Sequence, residues 1–305
     1  MNRGSSSQPG AASLDVRPSP IAGQWYPGEP ALLRKRVQDF LDAAEVETLD
    51  GSVVALISPH AGHRYSGGVA AHAYRLVQGA SYDFVAIVAP NHRINDYSPY
   101  LVTAHAAYWT PLGEVPLATD LLETLDARLG LSRVRRDIEH SIEIQLPFLQ
   151  VALANSSPQA GREQFQLLPL MLNDTSRETC YELGQALAGV LRDRNALLIA
   201  STDLSHFKNA ETAARLDGAV TDCIAAFDPQ GLLDVMASGK GQACGGGPTV
   251  AVMLAARALG ADRSKLLKYA TSGDVTGDFH SVVGYAAAVL YKGGISEGAT
   301  PGRQE

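Results

Sequence analysis

The stretch VVALISPHAGHRYSGG, Val53 to Gly68, decides the fold. Val53–Ser58 is an uncharged run of strand length with no polar alternation, the pattern of a strand buried on both faces. Pro59 ends it, because proline cannot donate to a sheet ladder. A short turn carrying His60 and His63 follows, and Gly67-Gly68 opens a segment with helical periodicity to Val77. Strand, polar turn and helix in that order make a βα unit. The construction recurs. AIVAPNHR (Ala86–Arg93) and LLIASTDLSHF (Leu197–Phe207) are also apolar runs that end in a polar turn with a histidine.

Outward from these strands, helical spacing recurs over residues 29–44, 118–130, 177–193, 213–227, 229–238 and 248–260. Further strands fall at 165–172, 265–271 and 282–291. Residues 140–154 read as one helix that Pro147 should kink. Alternating strands and helices predict an α/β fold: a single domain, a mostly parallel central sheet, and helices on both faces. The expected boundaries are a disordered arm at 1–15, the domain at 16–292 and a flexible tail at 293–305.

Composition narrows the function. The net charge of -7 and the lack of a basic stripe argue against a nucleic-acid partner. No apolar run reaches membrane-spanning length, so no membrane role is expected. The first residues lack the apolar core of a signal peptide. Three cysteines without CxxC spacing fit a reducing, cytoplasmic setting.

In open α/β sheets, ligands bind beyond the carboxyl ends of the strands. His60, His92 and His206 each follow an apolar strand, so neighbouring parallel strands would bring three imidazoles to one rim. One such histidine is ordinarily a cap or a hydrogen-bonded residue; three at equivalent places suit a metal. Cys244, in GQACGGGPTV, lies beside a glycine run and a helix start. It reads as a thiolate ligand completing a His-His-Cys site, or as a nucleophile with a histidine base. Cys180 and Cys223 sit mid-helix and read as inert. Asp203 and His206 are three apart in STDLSH and share a face if a helical turn begins there; the plain alternative is an N-cap beside a surface histidine. His140 and Glu143 in EHSIEIQLPF form a weaker pair. His72, His105 and His280 read as structural. GQWYP (Gly23–Pro27) covers a site or packs the arm, and spacing does not decide which.

Together, AGQWYP, ISPHAG, AAHAY, PNH, TPLG, EHSIEIQLPFL, STDLSH and CGGGP resemble, in order, the segments of the Memo family. Its bacterial members are called AmmeMemoRadiSam system protein B. The resemblance runs from about Arg17 to Tyr291. It implies a fold similar to the class III extradiol dioxygenases, which use non-haem iron(II). It also implies a metal-ligand set of His60, His92 and Cys244, with His140, Asp203 and His206 lining the same cleft in catalytic roles. Family members are described as binding iron or copper and promoting oxidation, and a vertebrate member as an adaptor that recognises phosphotyrosine peptides. The bacterial name implies radical-SAM system partner proteins.

Two departures stand out. His63 occupies a place where the family usually has an aromatic, so a titratable group would replace a cleft-wall hydroxyl. Cys244 stands where the dioxygenases have a carboxylate, and a thiolate is softer, favouring copper(I) or zinc. The expected function is a metal-dependent redox enzyme, dioxygenase-like, using iron(II) or copper, with zinc as the remaining candidate. Its substrate would be a small molecule or peptide. The alternative is a non-catalytic module that binds phosphopeptides or proteins in the same cleft; no basic cluster is evident in the sequence beside the site to favour it.

Overall fold

A computed structural model of the chain describes residues 15–153 and 165–294. The expected arm and tail lie almost wholly outside the described residues. In chain order the elements are β1 (Val16–Arg17), α1 (Pro30–Ala43), β2 (Gly51–Ser58), α2 (His63–Arg75), β3 (Phe84–Pro90), β4 (Tyr100–Thr103), β5 (Ala107–Thr110), β6 (Gly113–Pro116), α3 (Thr119–Leu129) and β7 (Ser132–Val134). A 3-10 turn at Glu143–Gln145 leads into α4 (Leu146–Ala152). There follow β8 (Gln166–Leu172), α5 (Arg177–Leu191), β9 (Ala196–Ser201), β10 (His206–Lys208), α6 (Ala210–Ala225), α7 (Pro229–Ala237), α8 (Gly246–Ala258), β11 (Arg263–Thr271), α9 (Gly273–Thr276) and β12 (Val282–Gly293).

The main sheet has the order β10-β12-β2-β9-β3-β8-β4-β7, with β11 on the other edge of β12. Its centre, β2-β9-β3-β8, is parallel. Those strands read as continuous apolar runs because both faces are covered; Val85 to Ala89 are wholly buried. Burying one such side chain, Ile87 for instance, contributes about 1.5–3 kcal/mol. The flanks differ from the expectation. β12 runs antiparallel to β2, β11 and β10, and β4 runs antiparallel to β8. Antiparallel neighbours need no helical crossover, so the sheet is mixed, parallel through its centre and again between β4 and β7 at one edge.

The direction of the crossovers sets the helical layers. The chain moves from β2 through α2 to β3 and on to β8, then returns through α5 to β9, which inserts between β2 and β3. Right-handed crossovers in opposite directions place their helices on opposite faces. Accordingly α1, α2 and α4 pack together on one face, with Tyr74 stacked on Phe148 at 5.1 Å, and α5, α7 and α8 pack on the other. The reversal around β9 opens a crevice at the carboxyl ends of β2, β9 and β3.

Three local readings change. Pro147 starts α4 rather than kinking a longer helix, since its missing N–H costs nothing in a first turn. α2 begins at His63, ahead of the glycine pair, because the His63 N–H donates to the Trp25 carbonyl at 2.9 Å. No helical turn begins at STDLSH; His206 opens β10 and pairs with Val283 of β12.

Candidate metal centre

Each strand end delivers one part of the site. His60 lies two residues beyond β2 and is 2% exposed. His92 lies two residues beyond β3, with its side chain 31% exposed. His140, from the crossover between β3 and β8, completes the group. The ring centroids are 5.2 Å (His60–His92), 5.6 Å (His60–His140) and 5.1 Å (His92–His140) apart. One nitrogen from each lies within 4.8 Å of the others, so these three histidines could hold a metal ion.

The hydrogen-bond partners decide which nitrogens are free. Ser201, at the end of β9, spends its single proton on the Ser141 carbonyl at 2.6 Å. Toward His60 Nδ1, 3.1 Å away, its oxygen can therefore only accept. So His60 carries its proton on Nδ1 and its lone pair on Nε2. Burial, then the neighbouring His140 and His92, holds His60 well below the ordinary imidazole range, which keeps it neutral. The other two rings share Glu139, itself 2% exposed. Its Oε1 lies 3.3 Å from His92 Nδ1 and 2.9 Å from His140 Nδ1. Burial alone would raise the Glu139 carboxyl, but His140 and His92 beside it hold it well below the usual carboxylate range. An ionised carboxylate accepts only: it takes the His92 Nδ1 proton, and beside His140, whose Nδ1 is close but outside hydrogen-bond geometry, it would repel a lone pair, so both Nδ1 atoms carry protons. All three imidazoles are thereby left with Nε2 lone pairs, the arrangement in which a carboxylate behind a histidine orients it for a metal.

Sequence reasoning passed over Glu139. It also accepts from the backbone N–H groups of His92 (2.5 Å), Arg93 (3.1 Å), His140 (2.8 Å) and Ser141 (3.1 Å), so one side chain ties two loops 46 residues or more apart to each other. The available signal was an acid directly beside a candidate histidine in EHSIE. Gln145 has a parallel task, donating to the Pro59 carbonyl at 3.0 Å and to Ser201 Oγ at 2.8 Å, which ties the ends of β2 and β9 together.

Cys244 comes close to the group from one side. Its Sγ lies 3.1 Å from His60 Nε2, and the residue also lines a separate cavity of about 560 Å³ bounded by α5 and α7. A Cβ at Gly245 would collide with the Ser201 carbonyl oxygen, so glycine there lets the loop press onto the end of β9 and brings the sulfur to His60. Burial, then the Asp203 charge, pushes the Cys244 thiol up. That is opposite to what an activated nucleophile needs, and it makes S–H the donor to His60 Nε2.

Asp203 accepts the His60 backbone N–H at 2.7 Å and sits 4.0 Å from His60 Nε2. It anchors His60 rather than His206. Burial raises its carboxyl to about 7, against the backbone bonds from His60 and Ala61. His206 is half-buried and lowered mainly by burial. His140, Asp203 and His206 line one cavity of about 620 Å³ with His60, His92 and Trp25. Trp25 answers the question GQWYP left open: its ring stands 4.3 Å from that of His140, as cleft wall. Arg64 and Arg93 also line the cavity, so it has cations that the linear sequence did not group. His63 does not line it. That residue is buried against Phe148 and Tyr26, so its replacement of the usual aromatic is a core substitution and not a cleft-wall one.

With this geometry established, comparison with known proteins is direct. The family model described as Memo-like protein matches residues 17–289. The chain belongs to the Memo family. A MEMO1 family protein of Methanopyrus kandleri is 37% identical over 286 residues, covering 90% of this chain and 98% of the relative. One from Methanosarcina mazei is 35% identical over 280 residues, 91% and 100% respectively, and one from Methanothermobacter thermautotrophicus is 36% identical over 286 residues, 89% and 99%. No helix among the described residues of this Memo-family chain is long and apolar enough to cross a membrane.

Proposed function

We propose that this Memo-family chain is a metal-dependent redox enzyme, dioxygenase-like, that acts on a small molecule in the cleft beyond β2, β9 and β3. One observation carries the reading: three imidazoles converge with their Nδ1 atoms turned to Ser201 and Glu139, so that their Nε2 atoms face one another, that of His60 beside the Cys244 sulfur. His60, His92 and His140 would hold the ion, with Cys244 as a further donor once its S–H proton leaves. Imidazole suits iron, copper and zinc alike, and a thiolate shifts preference toward the softer of these. Iron(II) or copper is the choice that matches a redox role, and either would supply single-electron chemistry that no side chain of the cleft offers.

The chain's own residues do the rest. Glu139 fixes the orientation of two ligating rings. Asp203 holds the His60 backbone in place. Neutral His206, across the cavity, accepts and returns a substrate proton. Trp25 and Tyr285 wall the cleft and limit water around the reacting atoms.

The test is metal analysis of anaerobically purified protein beside His60→Ala, His140→Ala and Cys244→Ser. About one iron or copper per chain, lost in both histidine variants, is the expected result. Undiminished metal in His60→Ala and Cys244→Ser would sink the proposal, and stoichiometric zinc would remove its redox half. Retention in His140→Ala with loss in Cys244→Ser would select the His-His-Cys set over the three imidazoles.

A further inference from the structure

The cleft carries charge that the metal-site reading does not use. Arg64 and Arg93 line its mouth, and neither has a carboxylate within ion-pair distance among the described residues. Both guanidiniums rest on aromatic faces, Arg64 at 5.7 Å from the Tyr65 ring and Arg93 at 5.3 Å from the Trp25 ring. Arg64 sits in the first turn of α2, where the helix dipole disfavours a cation. That turn contains no acidic residue, and its N-cap, Gly62, provides no side-chain cap. Local helix energetics therefore give no reason for an arginine at this place. Ala61, Gly62 and Arg64 of the same turn all line the cavity, so the positive end of α2 faces it as well. Asp203 is the single carboxylate among the described lining residues, and it is turned to the His60 backbone.

We propose that the cleft takes a small organic carboxylate, with its carboxylate held by Arg64 and Arg93 and its apolar body against Trp25 and Tyr65. This deepens the metal-dependent reading and rests on it for the reaction, though not for the binding. The planar guanidinium fork matches a carboxylate with two parallel bonds. The cavity, about 620 Å³, is the size of small-molecule sites. Its lining of Trp25, Tyr65, Val283 and Tyr285 gives an apolar body more to contact than a bare anion would use. In a chain of net charge -7, two guanidiniums without carboxylate partners make this pocket a local site for an anion.

The experiment is calorimetric titration of the full chain with 3-phenylpropionate and with its neutral isostere 3-phenylpropanamide. It is run on metal-loaded protein, on chelator-treated protein, and on the Arg64→Gln/Arg93→Gln double variant. The acid should bind about tenfold tighter than the amide, and the double variant should abolish that preference. Both side chains are exposed, so the variant should fold; circular dichroism checks it. Equal binding of acid and amide, or binding of neither at millimolar concentration, overturns the proposal. So does inorganic phosphate displacing the acid at equal affinity, because the apolar body would then contribute nothing. A preference that survives the double variant but vanishes on chelation would place the carboxylate on the metal, leaving the metal reading intact and this inference wrong. A preference that persists in protein unable to take up metal would uphold the arginine site while the metal reading fails.

Discussion

Glu139 and Glu143 stand one helical turn apart in EHSIE, and both are buried, yet they serve opposite ends. Glu143 accepts from Arg17 at 2.6 Å, from the Tyr26 hydroxyl at 2.6 Å and from Ser19. Arg17, fully buried, also meets Asp137 at 2.8 Å and lies over the Tyr108 ring at 4.6 Å. The charges of that cluster are paired with one another, and Arg17 also donates to the Glu139 carbonyl. It fastens the N-terminal strand β1 to the crossover that carries His140. Glu139 also accepts from both sides, but its imidazole partners each keep an unspent Nε2. The difference teaches how to tell a structural polar cluster from a functional one. A structural cluster pairs its charges internally; a functional one uses some bonds to aim other groups at a cavity.

The largest effect should come from breaking the closed cluster. Arg17→Met leaves Asp137 and Glu143 buried without their cation and should cost about 3–5 kcal/mol. Thermal or urea denaturation reads it, and metal content per folded chain should not change. If metal is lost while stability holds, the two regions are not separate in the way described.

A second probe lies between them. His63 packs against Tyr26 of the closed cluster, and its Nε2 lies 3.1 Å from the Ile144 carbonyl. Burial, the dominant cause, lowers its imidazole from 6.5 to about 4. The folded state therefore binds fewer protons than the unfolded chain between those values. The stability that neutral His63 allows is complete above about pH 6.5 and is lost as pH falls toward about 4, by about 3 kcal/mol. Urea midpoints at about pH 7 and about pH 4.5 check this. His63→Phe should flatten that part of the profile; an unchanged acid slope would show that other groups set it.

The smallest change in stability, with the most specific readout, should follow Glu139→Gln. The amide keeps one acceptor for the backbone but cannot hold two Nδ1 protons, so metal affinity should fall about 10–100-fold while the chain still folds. Competition with a chelator of known affinity measures it. A variant that binds metal normally but melts early would turn Glu139 into a second structural carboxylate and dissolve the comparison.

Much of this was legible in the chain. Val53–Ser58, Ala86–Pro90 and Leu197–Ser201 announced buried strands, because an uncharged run between turn residues has one economical place in an α/β fold. His60 and His92 were marked by following such strands directly, and Cys244 by its glycines. The ordered segments resembled the Memo family, to which the chain belongs. The short strands β4 to β7 went unread because three or four residues carry too little periodicity. The antiparallel flanks went unread because a strand's pattern does not state its direction.

What the sequence by itself determined, then, is what depends on a few neighbouring residues: where strands end, where helices begin, and which turns carry imidazole or thiol. Only the tertiary structure decided what those groups do to one another. Asp203 reaches the His60 backbone across 143 positions, and Arg17 reaches Glu143 across 126. It also decided that His140 joins His60 and His92, that Glu139 and Ser201 lie behind their Nδ1 atoms and leave the Nε2 atoms facing one another, and that Arg64 and Arg93 share one mouth. The physical reason is that a proton's position and a charge's partner are set by atoms within about 3 Å, and nothing local in the chain says which distant residues the closed fold will bring that near.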